Sequence, residues 1–193
     1  IQTNDVLTAA KTKWNFLDFK PGLVGGHCIS VDPYYLISKA DRHDVSLEIV
    51  KASRKVNESI PKVVAEKVQE CILNQGVNPK KCKVLILGLA FKENIKDTRN
   101  SKVMDLAREL NDQGLIVEIY DPEVGIDMAL PDTNINITSH FPSGSCFHVT
   151  IAAVAHDQIK SICLSEIKKI MYDNPIIVDI KNIWPNQNVT FRL

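Results

Sequence analysis

The stretch Val84-Leu-Ile-Leu-Gly-Leu-Ala-Phe-Lys-Glu-Asn-Ile-Lys-Asp-Thr-Arg-Asn-Ser101 is the clearest indication of the fold of this 193-residue chain. Its first four residues form a continuous apolar run, which is typical of a β-strand buried on both faces. A turn then leads into a helical pattern with Val103, Leu106 and Leu110 on one face. A strand followed by a helix predicts a crossover to a parallel neighbour. The stretch therefore predicts an open parallel sheet with helices packed on it.

Alternating strands and helices continue towards the C-terminus. We expect strands at residues 117–120, 148–154 and 176–178, a short strand at 135–137, and a helix carrying an apolar face between the last two long strands. These elements predict a small doubly wound, mainly parallel, Rossmann-like sheet domain over residues 79–193.

The first 78 residues are predicted to form a separate all-helical domain. Together with the sheet domain, this segment gives a chain of the α/β fold class. The clearest helical pattern is an apolar stripe with i, i+3, i+4, i+7 spacing from Ile60 to Ile72. Pro61 is expected to kink or restart this helix. The stripe can pack inside the monomer or across a two-fold axis, and its sequence leaves both open.

Composition excludes several classes of protein. Lys plus Arg and Asp plus Glu both number 23, so the chain gives no reason to expect nucleic acid or an anionic membrane as partner. No apolar run approaches the ~20 residues of a membrane span. Five cysteines without a CxxC pair argue against a disulfide framework and a metal site, and favour the cytoplasm. Cys71 and Cys163 are expected to be core residues on helices.

A second informative stretch is Lys20-Pro-Gly-Leu-Val-Gly-Gly-His-Cys-Ile-Ser-Val-Asp-Pro-Tyr-Tyr-Leu36. Its glycines allow the backbone to approach a ligand closely. Cys28 precedes a predicted helix N-terminus, where unpaired N–H groups favour a thiolate. Asp32 can orient a water or exchange a proton there. An inert cysteine in a Gly-rich connector explains these residues equally well.

The turn at residues 88–101 lies at the carboxyl end of its strand, where open α/β sheets bind ligands. Lys92 and Arg99 supply two cations suited to a diphosphate. Gly88 stands alone, so the turn is not a GxGxxG dinucleotide fingerprint. On composition alone, a solvated charged loop is the favoured interpretation.

Both stretches resemble signatures of the UDP-glucose/GDP-mannose dehydrogenase family, written PG-x-x-GGHCI-x-VDPYYL and GLAFK-x-x-x-x-DTR-x-S. The resemblance is to the branch acting on UDP-N-acetylhexosamines, because Val31 stands where the UDP-glucose branch usually has Lys. It implies that Cys28 attacks the sugar C6 aldehyde formed by a first hydride transfer. The thiohemiacetal then yields a second hydride to NAD, and water releases the acid from the thioester. Asp32 matches the aspartate that handles water and protons.

The resemblance also implies the remaining site residues. Those expected to contact the UDP-sugar are Lys20, Gly22, Gly25, Gly26, Lys92 and Arg54. For Arg54, an exposed helix residue is an equally good interpretation. Arg99 is expected on the cofactor side of the cleft. We expect His27 to shape the loop, Asp97 to support the turn, and the His156-Asp157 pair to cap the next helix.

The resemblance implies that the chain is the C-terminal portion of a dehydrogenase of this family. The central helical domain is expected to form a homodimer, and NAD is expected to bind mainly to an N-terminal domain outside this chain, so the chain alone should be inactive. One alternative is a non-catalytic UDP-sugar-binding or dimerisation module with an incidental cysteine. Another is a UDP-glucose 6-dehydrogenase. A Rossmann-type NAD-binding protein is disfavoured because the glycine fingerprint is absent.

Overall fold

A computed structural model describes residues 2–125, 127–144, 146–185 and 188–193. Within these residues, one sheet contains strands in the order β3-β4-β2-β1-β5-β6-β7. Its strands are β1 Lys83–Leu87, β2 Ile116–Tyr120, β3 Met128–Ala129, β4 Ile135–Thr138, β5 Phe147–Ala152, β6 Met171–Asp179 and β7 Phe191–Arg192. Every neighbouring pair is parallel except the antiparallel β3–β4 pair. The predicted mainly parallel sheet is confirmed.

The helices cover both faces of this sheet. They are α1 Thr3–Ala10, α2 Asp32–Asp41, α3 Glu48–Asn74, α4 Lys102–Asp112, α5 Asp157–Lys160 and α6 Leu164–Lys169, with a short 3-10 helix at Pro79–Lys81. Side chains of β1 alternate between two cores, as a strand requires. Val84 and Ile86 pack with α3 and α4, whereas Leu85 and Leu87 pack with α5 and α6. The sheet is therefore doubly wound, as predicted.

Helix α3 joins the helical first part to the sheet. It is one helix through the buried Pro61, so the predicted restart at this residue is wrong. Val64, Val68 and Ile72 are each at most 1% exposed and lie in the core against the sheet. The apolar stripe thus packs inside the monomer. The boundary between domains at residues 78 and 79 stays a prediction.

The helix expected after β5 is divided into α5 and α6, which corrects the sequence interpretation. The Ser161 hydroxyl donates to the Gln158 carbonyl oxygen, and the Cys163 amide donates to the Glu166 carboxylate at 3.0 Å, which starts a new helix. Cys163 is consequently exposed, so its predicted core position is wrong, while Cys71 is partly buried. The buried cysteine is Cys82, and burial raises its pKa to about 12.

None of the helices in the described part of the chain combines the length and the apolar character that crossing a bilayer requires.

Candidate functional site

The loop before α2 places Cys28 and Asp32 in one open groove. The amides of Val31 and Asp32 donate to the Cys28 carbonyl oxygen at 3.0 and 2.8 Å, which folds the loop into the first turn of α2. Both Cys28 and Asp32 are exposed. The groove is lined by Cys28, Ile29, Asp32, Pro33, Leu36 and Val50. The two predicted catalytic residues therefore lie together, with mostly apolar neighbours.

The cysteine loop docks directly on the turn that follows β1. The Gly26 amide donates to the Asn100 carbonyl oxygen at 3.3 Å. Gly26 has φ +101°, and a Cβ there would lie 2.8 Å from the Phe91 ring. A Cβ on Gly25 would overlap the Asn100 carbonyl oxygen. Only glycine permits this approach, so the glycines join the loop of Cys28 to the turn of Lys92.

His27 and Asp97 add a polar contact between the same two segments. His27 Nε2 lies 3.1 Å from Asp97 Oδ2, and its ring packs on Phe91 at a centroid distance of 5.4 Å. Arg99 donates to Asp97 at 2.7 Å, and these hydrogen bonds hold the pKa of the Asp97 carboxyl well below its usual range. The geometry agrees with the structural roles expected of His27 and Asp97. Arg99 itself is 73% exposed at the side chain.

Lys92 is exposed on this turn, one residue after Phe91. Its ammonium has no hydrogen-bond or ion-pair partner within residues 2–125, 127–144, 146–185 and 188–193. An exposed, unpaired ammonium can accept an anionic ligand without first breaking an ion pair.

Asp121 holds the turn that follows β1, and the sequence analysis did not predict this role. Its buried carboxylate accepts hydrogen bonds from the amides of Leu89 and Ala90 at 2.5 and 2.9 Å, and from those of Glu123 and Val124. Burial alone would raise the pKa of Asp121, but hydrogen bonds from His156 and these amides lower it to about 2. Its place directly after β2 is the one signal in the sequence, since that edge of the sheet faces the turn.

The side chain of His156 does not cap α5, in contrast to the prediction. His156 occupies the N-cap position of α5, but its side chain makes no capping hydrogen bond. Nδ1 instead accepts from the Asn94 amide at 2.9 Å, and Nε2 lies 3.2 Å from Asp121 Oδ2. Asp157 exchanges hydrogen bonds with the Asn94 side chain at 2.9 and 3.0 Å. Both residues of the predicted cap therefore hold the turn.

Arg54 lies inside the molecule, so the interpretation as an exposed helix residue is wrong. Its side chain is 8% exposed and donates to Glu58 at 2.7 Å. The guanidinium lies over the Tyr34 ring at 5.8 Å, and Glu58 also binds Lys102 at the start of α4. Arg54 thereby connects α2, which carries Asp32, to α3 and α4. Contact between Arg54 and a sugar nucleotide stays a prediction.

Two predicted substrate residues lie apart from the Cys28 groove. Exposed Lys20 lines a different groove, between the start of α1 and the ends of β6 and β7. A Cβ on Gly22 would lie 3.3 Å from the Lys181 ammonium, at the same end of the sheet. Among the described residues, no group of three or more His, Cys, Asp or Glu side chains could hold a metal ion.

Two family profiles match the chain. The profile of the UDP-glucose/GDP-mannose dehydrogenase family UDP binding domain matches residues 85–186, and that of the central domain of this family matches residues 1–59. The chain is 38% identical over all 193 residues to UDP-N-acetyl-D-glucosamine 6-dehydrogenase of Pseudomonas aeruginosa, covering 46% of that protein. It is 33% identical over 171 residues to UDP-N-acetyl-D-mannosamine dehydrogenase of Methanocaldococcus jannaschii, covering 36% of it.

Solved structures share the fold. UDP-D-ManNAc dehydrogenase from Pyrococcus horikoshii superimposes with a TM-score of 0.82 at 26% identity, over 99% of this chain and 43% of that one. A UDP-glucose dehydrogenase from Pyrobaculum islandicum has a TM-score of 0.79 at 24% identity, over 100% of this chain and 43% of that one. The chain thus spans less than half the length of the relatives described.

Proposed function

This chain belongs to the UDP-glucose/GDP-mannose dehydrogenase family, and we propose that it is the part of an NAD-dependent UDP-N-acetylhexosamine 6-dehydrogenase that supplies the catalytic thiol and the nucleotide site. The reaction converts the sugar C6 alcohol to a carboxylate by two successive oxidations. The chain alone contains no GxGxxG fingerprint in its 193 residues, so we expect it to produce no NADH by itself.

One observation carries this proposal: the loop of Cys28 is docked on the turn of Lys92. Gly26 contacts both Asn100 and Phe91, and Phe91 is the neighbour of Lys92 in the chain. A UDP-sugar whose diphosphate binds Lys92 can therefore extend its sugar towards Cys28.

The thiol of Cys28 has a defined chemical part in the proposed reaction. As a thiolate, it attacks the C6 aldehyde carbon to form a C–S bond, and the carbonyl oxygen gains a proton. A hydride leaves that carbon for NAD, when NAD is bound, and the hydroxyl group loses its proton, which converts the adduct to a thioester. Asp32 accepts a proton from a water that attacks the thioester, and the C–S bond breaks to release the acid and the thiolate.

NAD supplies the hydride acceptor when it is bound. Among the residues of this chain, Arg99 fits a contact with it, because its guanidinium is exposed and Asp97 holds it beside His27 on the cysteine loop. We propose that the main NAD contacts come from outside this chain.

The N-acetylhexosamine branch is the favoured substrate class. Val31 occupies the position before Asp32, where the UDP-glucose branch usually has Lys. The two relatives compared by sequence act, by their names, on UDP-N-acetyl-D-glucosamine and UDP-N-acetyl-D-mannosamine. A UDP-glucose 6-dehydrogenase remains the alternative, and comparing the affinity of the chain for UDP-N-acetylglucosamine and UDP-glucose by calorimetry separates the two.

The reactivity of individual cysteines tests the role of Cys28. Cys146 and Cys163 are also exposed, so they serve as internal controls for accessibility, whereas Cys82 is buried. We expect iodoacetamide at neutral pH to modify Cys28 several-fold faster than Cys146 and Cys163, measured by mass spectrometry of peptides. Equal rates at the three exposed thiols would favour the non-catalytic binding module.

Assembly and location are parts of the same proposal. We propose a homodimer, because exposed large apolar side chains are concentrated in the helical part, on residues such as Trp14, Phe19, Tyr35 and Ile49. We also propose the cytoplasm as the location, on the cysteine pattern of the sequence.

A further inference from the structure

We infer that His156 and Asp121 are positioning residues, which fix the backbone on both sides of Lys92 so that its ammonium is presented to the nucleotide. This inference rests on the proposed function, because it assigns the diphosphate to Lys92. Neither side chain is exposed, and each has 0% accessible side-chain surface, so neither contacts the ligand itself.

The anchors bracket the residue that they position. Asp121 Oδ2 accepts from the amides of Leu89 and Ala90, on the N-terminal side of Lys92. His156 Nδ1 accepts from the Asn94 amide, on the C-terminal side, at 2.9 Å. Only residues 91–93 lie between the two anchors, so the position of the Lys92 Cα follows from them.

The two anchors form one unit. Because the Asn94 amide donates to Nδ1, the imidazole proton must lie on Nε2. Nε2 then donates to Asp121 Oδ2 at 3.2 Å, so the carboxylate holds the histidine tautomer that Asn94 needs. Asn94 has φ +59°, a left-handed conformation that asparagine adopts more readily than most residues. The hydrogen bond of its amide helps to hold the backbone in this conformation.

The hydrogen bonding of Asp121 and His156 suits a positioning role, because neither side chain has a polar atom left for a ligand. Their donors and acceptors are all engaged with the turn, with each other, or with the amides of Glu123 and Val124. The strands deliver the two residues from opposite sides of β1, Asp121 after β2 and His156 after β5. Both ends of the turn are thereby tied to the rigid sheet.

Two variants of similar size separate positioning from simple core filling. In His156→Asn, the amide oxygen can replace Nδ1 as acceptor for Asn94, but the contact with Asp121 is lost. In His156→Gln, the amide NH₂ can replace Nε2 as donor to Asp121, but Asn94 loses its acceptor. Each variant removes one buried hydrogen bond, so urea unfolding should show similar losses of stability.

The affinity of the 193-residue chain for UDP, measured by calorimetry where both variants are folded, should differ. We expect His156→Gln to weaken UDP binding by at least about tenfold and His156→Asn by less than about threefold. Equal losses of affinity in the two variants, in proportion to their stability, would overturn the positioning role.

Amide hydrogen exchange in the wild-type chain tests the anchor directly, and it requires neither a folded variant nor bound UDP. In the wild-type chain, the Asn94 amide should exchange at least about tenfold more slowly than that of Glu93, which has no acceptor in the described part of the turn. Comparable rates at Asn94 and Glu93 would refute the anchor. Protected Asn94 without UDP binding would instead refute the proposed nucleotide site.

Discussion

At the residue scale, the position of the cysteine loop depends on the absence of a methyl group at Gly25. The loop approaches the Asn100 carbonyl oxygen so closely that a Cβ at residue 25 would overlap it. The partner atom belongs to the backbone, which cannot rotate away as a flexible side chain does. The contact between the loop of Cys28 and the turn of Lys92 is therefore sensitive to substitution here.

We predict that Gly25→Ala lowers the free energy of unfolding by about 1–3 kcal/mol, because the added Cβ forces the two segments apart. Gly22→Ala is the matched control, since its Cβ would meet only the flexible Lys181 side chain and should change stability by about 0.5 kcal/mol or less. Urea unfolding measures both. Equal effects would mean that the close approach at Gly25 is not maintained in solution.

A second residue-scale prediction concerns acid. Hydrogen bonds lower the pKa of Asp121 in the folded chain to about 2, below the value near 4 of an unfolded aspartate. The ionised carboxylate therefore contributes stability that is complete above pH 4 and is lost as the pH falls towards 2. This contribution is about 2 kcal/mol.

Asp121→Asn lacks this titration. The difference in unfolding free energy between wild type and variant should shrink as the pH falls from 5 to 2.5, measured by urea titration at each pH. A difference that stays constant across this range would contradict the assigned role of the carboxylate.

At the element scale, helix α3 belongs partly to the core under the sheet. Its C-terminal half supplies Val64, Val68 and Ile72 to the same cluster as α4 and β1. We predict that Ile72→Ala costs about 2–5 kcal/mol, because a fully buried side chain leaves a cavity. The neighbour Leu73 is 57% exposed, so Leu73→Ala should cost about 0.5 kcal/mol or less.

Thermal or urea unfolding of the two alanine variants provides the comparison. Similar small effects would show that the helical part folds away from the sheet in solution.

Elements with strong local patterns could be predicted from the sequence. The burial of β1 is visible as an unbroken apolar run, and the burial of α3 is visible as apolar residues at helical spacing. Strands β3 and β7 are two residues long, too short for any periodicity, and they were not predicted. The break between α5 and α6 was missed because the apolar spacing continues across it while side-chain hydrogen bonds end one helix and start the next.

In the candidate site too, residues within continuous motifs could be predicted, whereas residues that act over long distances in the chain could not. Cys28, Asp32, Lys92 and Arg99 lie in continuous motifs and were identified from the sequence, although their roles stay predictions. The anchors Asp121 and His156 act on amides 31 to 62 positions away in the chain, so the only signal in the sequence is the place of Asp121 directly after β2. The burial of Arg54 likewise results from packing between three helices.

At the scale of the whole molecule, the exposed apolar surface of the helical part needs a partner. Ile49 on α3 is 87% exposed, and other large apolar side chains of the helical part, such as Tyr35 and Val56, are exposed as well. We predict that the chain dimerises and that Ile49→Asp weakens the dimer by at least about tenfold in sedimentation equilibrium. Tyr172→Asp, at a 49% exposed position on the sheet, is the control. A wild-type monomer at all concentrations tested would contradict the dimer.

We propose that one UDP-sugar reaches from the turn of Lys92 to the thiol of Cys28. A crystal structure of the chain with UDP-N-acetylglucosamine tests it directly. We expect the diphosphate at Lys92 and the sugar C6 within about 3.5 Å of the Cys28 Sγ, a distance suited to attack. A nucleotide bound at Lys92 with its sugar directed away from Cys28 would contradict it.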